Sequence, residues 1–108
     1  MNERIYSFLG LATKAGKLIS GEETTERALK SGKVYLVIVA EDASDNTKKK
    51  FRDMCSYREI EIRYFGEKEM LGKFTGKKIR SVVAITDRGF AGNLTKMIVN
   101  RGIELGGV

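Results

Sequence analysis

The sequence predicts an α/β fold in which helices cover both faces of a largely parallel sheet. The run at 35–40, YLVIVA, is continuously apolar and rich in β-branched residues, which indicates a strand buried on both faces. Such a strand requires a helical layer on each side of the sheet. Segments with helical periodicity alternate with short apolar segments along the chain, as expected for that arrangement.

The first half of the chain predicts two helices and two strands in alternation. Apolar residues at helical spacing place the first helix over 2–14. Residues 18–20 form a short strand, and a second helix follows at 22–31, where Gly32 ends it. The apolar run at 35–40 is the second strand.

The second half continues the alternation. Ser44 or Asp45 is predicted to cap a third helix, and Asp87 to cap the last one. Between these caps the predicted elements are a helix to about 57, a strand at 60–65, a short helix at 67–73 and a strand at 82–85.

One core is the most that this length supports, since the chain has 108 residues and is 42% hydrophobic. We therefore expect a single domain at 1–101. Gly102 is predicted to end the last helix, and the glycine-rich residues 102–108 are predicted to form a flexible tail.

The composition favours some functions and disfavours others. A formal charge of +6 favours polyanionic partners. The chain has no histidine and a single cysteine, Cys55, so the usual general base and thiolate metal clusters are missing. Cys55 lies in an apolar rhythm and is predicted to be a packed thiol. We expect no catalytic residue, no metal and no cofactor.

The N-terminal segment carries Glu3 and Arg4 and then only a short apolar stretch, unlike a secretory signal. No window reaches the roughly 20 apolar residues that span a bilayer. These features, with the lone cysteine, predict a cytoplasmic protein without membrane contact.

The start of the second helix is the first candidate site. Gly21 allows a ligand to approach closely, and the unpaired N–H groups of the next turn favour an anion. On a helical wheel Glu23, Glu26, Arg27 and Lys30 share one face. Two interpretations are open: they form surface ion pairs at i,i+4 spacing, Glu23 with Arg27 and Glu26 with Lys30, or they read a nucleic acid.

Basic residues also surround the glycines at 72–80. Lys73, Lys77, Lys78 and Arg80 precede the last strand, with no acidic residue from 71 to 81. A P-loop interpretation is disfavoured. A P-loop follows a strand, whereas this segment precedes one, and a P-loop carries Ser or Thr where Lys78 stands here. A third basic run, at 48–52, is typical of a solvated helix face.

Two long segments carry a resemblance to a known family. GEETTERALKSGKVYLVIVAEDAS and LGKFTGKKIRSVVAIT resemble the ribosomal protein L7Ae/L30e superfamily over residues 3–100. The segments FLGLATKAGKLISGEE, AEDASDNTKKK and ITDRGFAGNL are closer to its bacterial YlxQ-type branch. The resemblance implies a three-layer α/β/α sandwich around a mixed four-stranded sheet, no enzymatic activity, and binding to RNA kink-turns, which bend sharply beside tandem sheared G·A pairs.

The resemblance also assigns candidate residues. In the family an Asn-Glu-x-x-Lys signature after a glycine reads the G·A pairs, and here Gly21 matches the glycine, Glu23 the Asn, Thr24 the Glu and Arg27 the Lys. A second family loop packs against an extruded nucleotide and corresponds here to 77–80. The resulting RNA-binding set is Gly21, Glu22, Glu23, Thr24, Arg27, Lys30, Lys77, Lys78, Ile79 and Arg80.

These residues lead to one functional hypothesis and one rival. The hypothesis is a non-enzymatic, monomeric RNA-binding protein that recognises kink-turn-like structured RNA, with ribosomal RNA among the expected partners. The rival is a protein–protein interaction module on the same fold, because the three signature positions differ from the family pattern. The hypothesis further expects Gly21 and the loop at 77–80 to lie side by side at one end of the sheet.

Overall fold

Four strands form one sheet in the order β1-β4-β2-β3 in the computed structural model, which describes the backbone of residues 2–106 and the side chains of 2–101. In chain order the elements are α1 (Asn2–Lys14), β1 (Leu18–Ser20), α2 (Glu22–Lys30), β2 (Leu36–Val39), α3 (Asp45–Arg58), β3 (Glu61–Tyr64), α4 (Lys68–Phe74), β4 (Val82–Ile85) and α5 (Arg88–Gly106). Every predicted element is present, and the bounds of α1, β1 and β4 match the predicted ranges.

The sheet is mixed, as the family resemblance implies. β4 runs antiparallel to β1 and to β2, whereas β2 and β3 are parallel. The expectation of a largely parallel sheet, drawn from the apolar run at 35–40, is therefore wrong. A continuous apolar strand indicates that both faces of the sheet are covered, but it does not indicate the strand direction. Helices cover both faces here, although two of the three strand pairs are antiparallel.

The helices form two layers on the sheet. α2 packs on β1 and β4 and contacts α3, which packs on β2 and β3. The other layer contains α1, α4 and α5, with α1 in contact with both of the others. This is the three-layer α/β/α arrangement.

The core lies on both faces of β2 and β4, whose eight residues are all fully buried. Phe51 and Cys55 of α3 close one side, and Leu9 of α1 and Leu94 of α5 close the other. Burial raises the pKa of the Cys55 thiol to about 11. The prediction of a packed thiol is confirmed.

Short polar side chains fix two of the helix starts. The Ser44 hydroxyl accepts a hydrogen bond from the Thr47 N–H at 3.1 Å, so Ser44 rather than Asp45 caps α3. The Asp87 carboxylate accepts one from the Phe90 N–H at 2.9 Å and caps α5, as predicted.

The end of α5 differs from the prediction. The helix continues to Gly106 and does not stop at Gly102, because an isolated glycine inside a helix costs only about 1 kcal/mol relative to alanine and the backbone hydrogen bonds continue through it. The flexibility of 102–108 stays a prediction, and residues 107 and 108 lie outside the described residues.

A close backbone contact at Gly72 holds the loop between α4 and β4. A Cβ atom at this position would lie 2.6 Å from the Lys78 carbonyl carbon and 2.8 Å from the Ile79 nitrogen. The Gly72 carbonyl also accepts a hydrogen bond from the Lys77 N–H at 2.8 Å. The loop therefore lies directly on the backbone of α4, where only glycine fits.

Gly72→Ala is expected to lower the free energy of unfolding by about 1–3 kcal/mol, because the added methyl group must displace backbone. Chemical denaturation followed by circular dichroism measures the change. Gly92→Ala in α5 is the matched control, since a Cβ there meets nothing within 4 Å. It should raise stability by about 0.5–1 kcal/mol through helix propensity. Equal stability of Gly72→Ala and the unsubstituted protein would contradict the packing at this contact.

Candidate functional site

The entrance to α2 and the loop before β4 meet at one end of the sheet. The Gly21 N–H donates to the Val82 carbonyl at 2.9 Å, joining the end of β1 to the start of β4. The Arg80 Nε donates to the Ser20 hydroxyl at 3.0 Å, and it lies 3.9 Å from where a Gly21 Cβ would be. Two segments about 60 residues apart in sequence thus form one surface, as the sequence analysis expected.

Gly21 has a backbone conformation that only glycine adopts readily, with φ 100° and ψ 152°. It occupies the N-cap position of α2 but has no side chain to accept hydrogen bonds from the first helical turn. This leaves the positive end of the helix facing the surface beside Arg80, where an anion is favoured.

The loop at 77–80 presents cations around one exposed apolar side chain. Lys77 and Lys78 are exposed, and Ile79 is 54% exposed. The Arg80 backbone N–H donates to the Lys68 carbonyl at 3.0 Å, and its guanidinium donates to the Ile79 carbonyl at 2.8 Å. The loop backbone is therefore held to α4, the Arg80 guanidinium is held against the protein, and Lys77 and Lys78 are exposed to solvent.

Two of the three glutamates on α2 are engaged by α3. The Thr47 hydroxyl donates to the Glu22 carboxylate at 3.1 Å. Glu26 lies 2.8 Å from the Lys50 ammonium and 3.3 Å from that of Lys30. Hydrogen bonds from Lys50, and then from Lys30, lower the pKa of the Glu26 carboxyl, which keeps it ionised and paired at neutral pH. The two lysines offset the negative charge of Glu26, which would otherwise repel a polyanion, and the Thr47 hydroxyl fixes the position of the Glu22 carboxylate.

The expected Glu23–Arg27 ion pair does not form, whereas the expected Glu26–Lys30 pair does. Glu23 and Arg27 are both exposed, and neither has an ion-pair partner among the residues that the structure describes. An exposed pair gains little energy and loses side-chain entropy, so its absence is physically unremarkable. Arg27 keeps its whole guanidinium for a ligand, and Glu23 keeps both acceptor oxygens.

The structure groups most of the predicted residues but not all. Gly21, Glu22, Glu23 and Thr24 stand in the first turn of α2 beside the loop at 77–80. Lys30 stands at the other end of α2, about 12 Å from Glu22 at 1.5 Å per residue, and is paired with Glu26. It therefore borders the site and lies outside its centre.

Three residues that shape the site were missed by the sequence analysis: Ser20, Thr47 and Lys50. Each acts through a partner distant in the chain, so no local sequence pattern predicts its contact. Ser20 holds Arg80, and the other two hold the glutamates of α2.

The described residues have neither a metal-binding cluster nor a membrane-spanning helix. They contain no group of three or more His, Cys, Asp or Glu side chains arranged to hold a metal ion. None of their helices combines the length and the apolar character needed to cross a bilayer.

Sequence comparison finds a family and close relatives. The profile of the ribosomal protein L7Ae/L30e/S12e/Gadd45 family matches residues 3–95. The RNA-binding protein YlxQ of Bacillus subtilis (strain 168) is 39% identical over 93 residues, which cover 86% of this chain and 93% of that protein. The RNA-binding protein YlxQ of Enterococcus faecium is 42% identical over 97 residues, covering 89% and 92% respectively.

Two solved structures share the fold of this chain. A protein of unknown function from Bacillus halodurans C has a TM-score of 0.85 and 40% sequence identity, covering 88% of this chain and 96% of that one. The Giardia lamblia 15.5kD RNA binding protein shares the fold, with a TM-score of 0.74 at 20% identity over 96% and 88% of the two chains. The family profile covers most of the sequence and the bacterial relatives cover it at about 40% identity, so this chain belongs to the ribosomal protein L7Ae/L30e/S12e/Gadd45 family.

Proposed function

We propose that this protein binds structured RNA, and kink-turns in particular, at the surface formed by the start of α2 and the loop at 77–80. The observation that carries the proposal is the contact between Arg80 and Ser20, with its Nε–Oγ distance of 3.0 Å. It brings the start of α2 and the basic loop at 77–80, each assigned to RNA by its resemblance to the family, into one surface. The names of the two bacterial relatives support RNA as the ligand.

Each side chain has a role that follows from its chemistry. Arg27, Lys77 and Lys78 are exposed cations that neutralise phosphates. Ile79, 54% exposed, offers an apolar contact to an extruded nucleotide. The Glu23 carboxylate accepts hydrogen bonds from base amino or imino groups at the sheared G·A pairs.

Binding requires no chemical step in this proposal. The surface is complementary to the bent form of the RNA, so binding shifts the RNA population toward that form by the difference in affinity for the two states. We further propose that the protein acts as a monomer in the cytoplasm, without catalysis or a cofactor, and that ribosomal RNA is among its targets.

Arg27→Ala and Lys78→Ala should each weaken kink-turn binding, because each removes an exposed cation of this surface. The slope of log K against log salt concentration should fall in magnitude by about one for each lost phosphate contact. Fluorescence anisotropy titrations over a range of salt concentrations measure both quantities. Lys96→Ala, an exposed lysine of α5 in the opposite helical layer, is the control and should leave affinity and slope unchanged. A loss as large in Lys96→Ala would show that only net charge matters.

A kink-turn should bind more tightly than the same RNA with its G·A pairs replaced by Watson–Crick pairs, because the straight helix does not present the bent backbone to both segments. Each lost base contact is expected to cost about 1–3 kcal/mol, or roughly 5- to 150-fold in affinity. Parallel titrations of the two RNAs test this expectation. Equal affinities would contradict kink-turn recognition and leave only general RNA binding.

The protein-interaction rival predicts a different result. A protein that shows no salt-sensitive binding to either RNA near micromolar concentration, but binds one defined protein partner with purified components, would support it. Crosslinking and sequencing of RNA bound in cells identifies the targets, and a recurring bent internal loop among them would support the proposed function.

A further inference from the structure

A second basic surface with an exposed aromatic ring lies at the opposite end of the sheet from the α2 entrance. It consists of Lys17, Lys33, Tyr35 and Arg88, named here the distal patch. Lys17 precedes β1, Tyr35 precedes β2 and Arg88 follows β4. The strand directions bring these three positions to one edge, away from Ser20 and Arg80.

Backbone hydrogen bonds fix the positions of the distal patch. The Thr86 N–H donates to the Lys17 carbonyl at 2.9 Å, and the Tyr35 N–H donates to the Ile85 carbonyl at 2.9 Å. The Arg88 guanidinium lies 5.4 Å from the centroid of the Tyr35 ring. The loops before β1 and β2 and the start of α5 are thus joined at one place.

The side chains of the distal patch are open to solvent and available. Tyr35 is 44% exposed, although the four residues of β2 that follow it are fully buried. Lys17, Lys33 and Arg88 are exposed, and within the described part of the chain none of them has a salt-bridge partner. The Tyr35 hydroxyl likewise has no hydrogen-bond partner there.

The acidic groups at this end of the sheet are partly occupied. The Asp87 carboxylate accepts the Phe90 N–H at 2.9 Å and caps α5. Glu61 pairs with Arg63, and Glu59 is the left-handed cap of α3. The Glu59 carboxylate is exposed, and neither it nor that of Asp87 has an ion-pair partner among the described residues, so the three cations of the distal patch stand against two unpaired carboxylates at this end.

An exposed tyrosine, a planar guanidinium and two flexible lysines match single-stranded RNA. Unpaired bases stack on aromatic rings and on guanidinium planes, while lysines neutralise the adjoining phosphates. A duplex does not present a free base face to such a ring, which favours a single strand as the ligand.

The distal patch is also continuous with the surface proposed above. Arg27, Lys30 and Lys33 follow one another along α2 and its C-terminal turn, and all three are exposed. The distance from Gly21 to Lys30, where α2 ends, is about 14 Å at 1.5 Å per residue, and Lys33 follows after the turn at Gly32. A strand that leaves a kink-turn at the start of α2 therefore passes Arg27, Lys30 and Lys33 on the way to Tyr35.

We propose that the distal patch binds a single-stranded RNA segment that flanks the structured element, with a base stacked on Tyr35 and Arg88. This inference rests on the proposed function only for the origin of the strand, since the patch binds an unstructured strand by itself. The protein would thereby prefer structured RNA that carries a single-stranded extension.

The test compares a blunt-ended kink-turn RNA with the same RNA carrying a single-stranded extension of about ten nucleotides, which is longer than α2 at about 3.4 Å per stacked nucleotide. Extensions are placed on each strand end in turn. One of them should raise the affinity of the unsubstituted protein about tenfold, the effect expected of a single stacked base. Anisotropy titrations at one salt concentration measure the gain.

Tyr35→Ala and Arg88→Ala should each abolish most of this gain and leave blunt RNA binding unchanged, whereas Tyr35→Phe should keep it because the ring remains. Tyr57→Ala is the matched control. Tyr57 is another exposed tyrosine, 84% exposed, with the Arg58 guanidinium 5.4 Å from its ring, but it lies outside the distal patch. Thermal unfolding verifies that each variant is folded.

Three outcomes would overturn the inference: no gain from either extension, a gain that survives Tyr35→Ala, or an equal loss in Tyr57→Ala. A separate experiment distinguishes failure of the kink-turn proposal from failure of this inference. If neither kink-turn RNA binds through Arg27 and Lys78, an unstructured oligonucleotide should still bind in a manner that depends on Tyr35 and Arg88. Absence of that binding would remove the distal patch as a site.

Discussion

The burial of β2 and β4 on both faces is the constraint on which the rest of the structure depends. All eight of their residues are inaccessible to solvent, so the chain must place a helical layer on each side of the sheet. Every passage between layer and sheet turns at one of its two ends. The two proposed RNA-binding surfaces are built from these turns: one at the Ser20–Arg80 end and the other at the Tyr35–Arg88 end. The core therefore determines where both surfaces lie without being part of either.

Glycine contacts position the surface formed by the start of α2 and the loop at 77–80 more firmly than side-chain packing alone would. Gly72 brings the backbone of α4 against the loop at 77–80, and Gly21 turns the chain into α2 without a side chain between helix and loop. Both contacts involve backbone, which has few alternative positions. Such preorganisation lowers the entropy lost when a ligand binds, which favours binding at the proposed surface.

Much of this fold was predictable from the sequence because its signals are local. The helical spacing in α1 and the apolar runs of β2 and β4 depend on near neighbours, and the capping side chain of Asp87 does too. The strand directions were not predictable from the apolar run, because burial on two faces is compatible with either direction. The contact of Glu22 with Thr47 depends on residues 25 positions apart. The segments of the candidate site were predictable from the family resemblance, whereas the contacts of Glu22 with Thr47 and of Glu26 with Lys50 were visible only in the three-dimensional structure.

Cys55 has a practical consequence for studying this molecule. It is the only cysteine in the chain, and its side chain is fully buried on the inner face of α3. Its raised pKa of about 11 leaves very little thiolate at neutral pH. Alkylating reagents therefore modify it only when α3 moves away from the sheet. The rate of thiol labelling therefore measures local opening of α3, the helix that carries Lys50 and supports α2. The measurement requires no probe to be introduced into the protein.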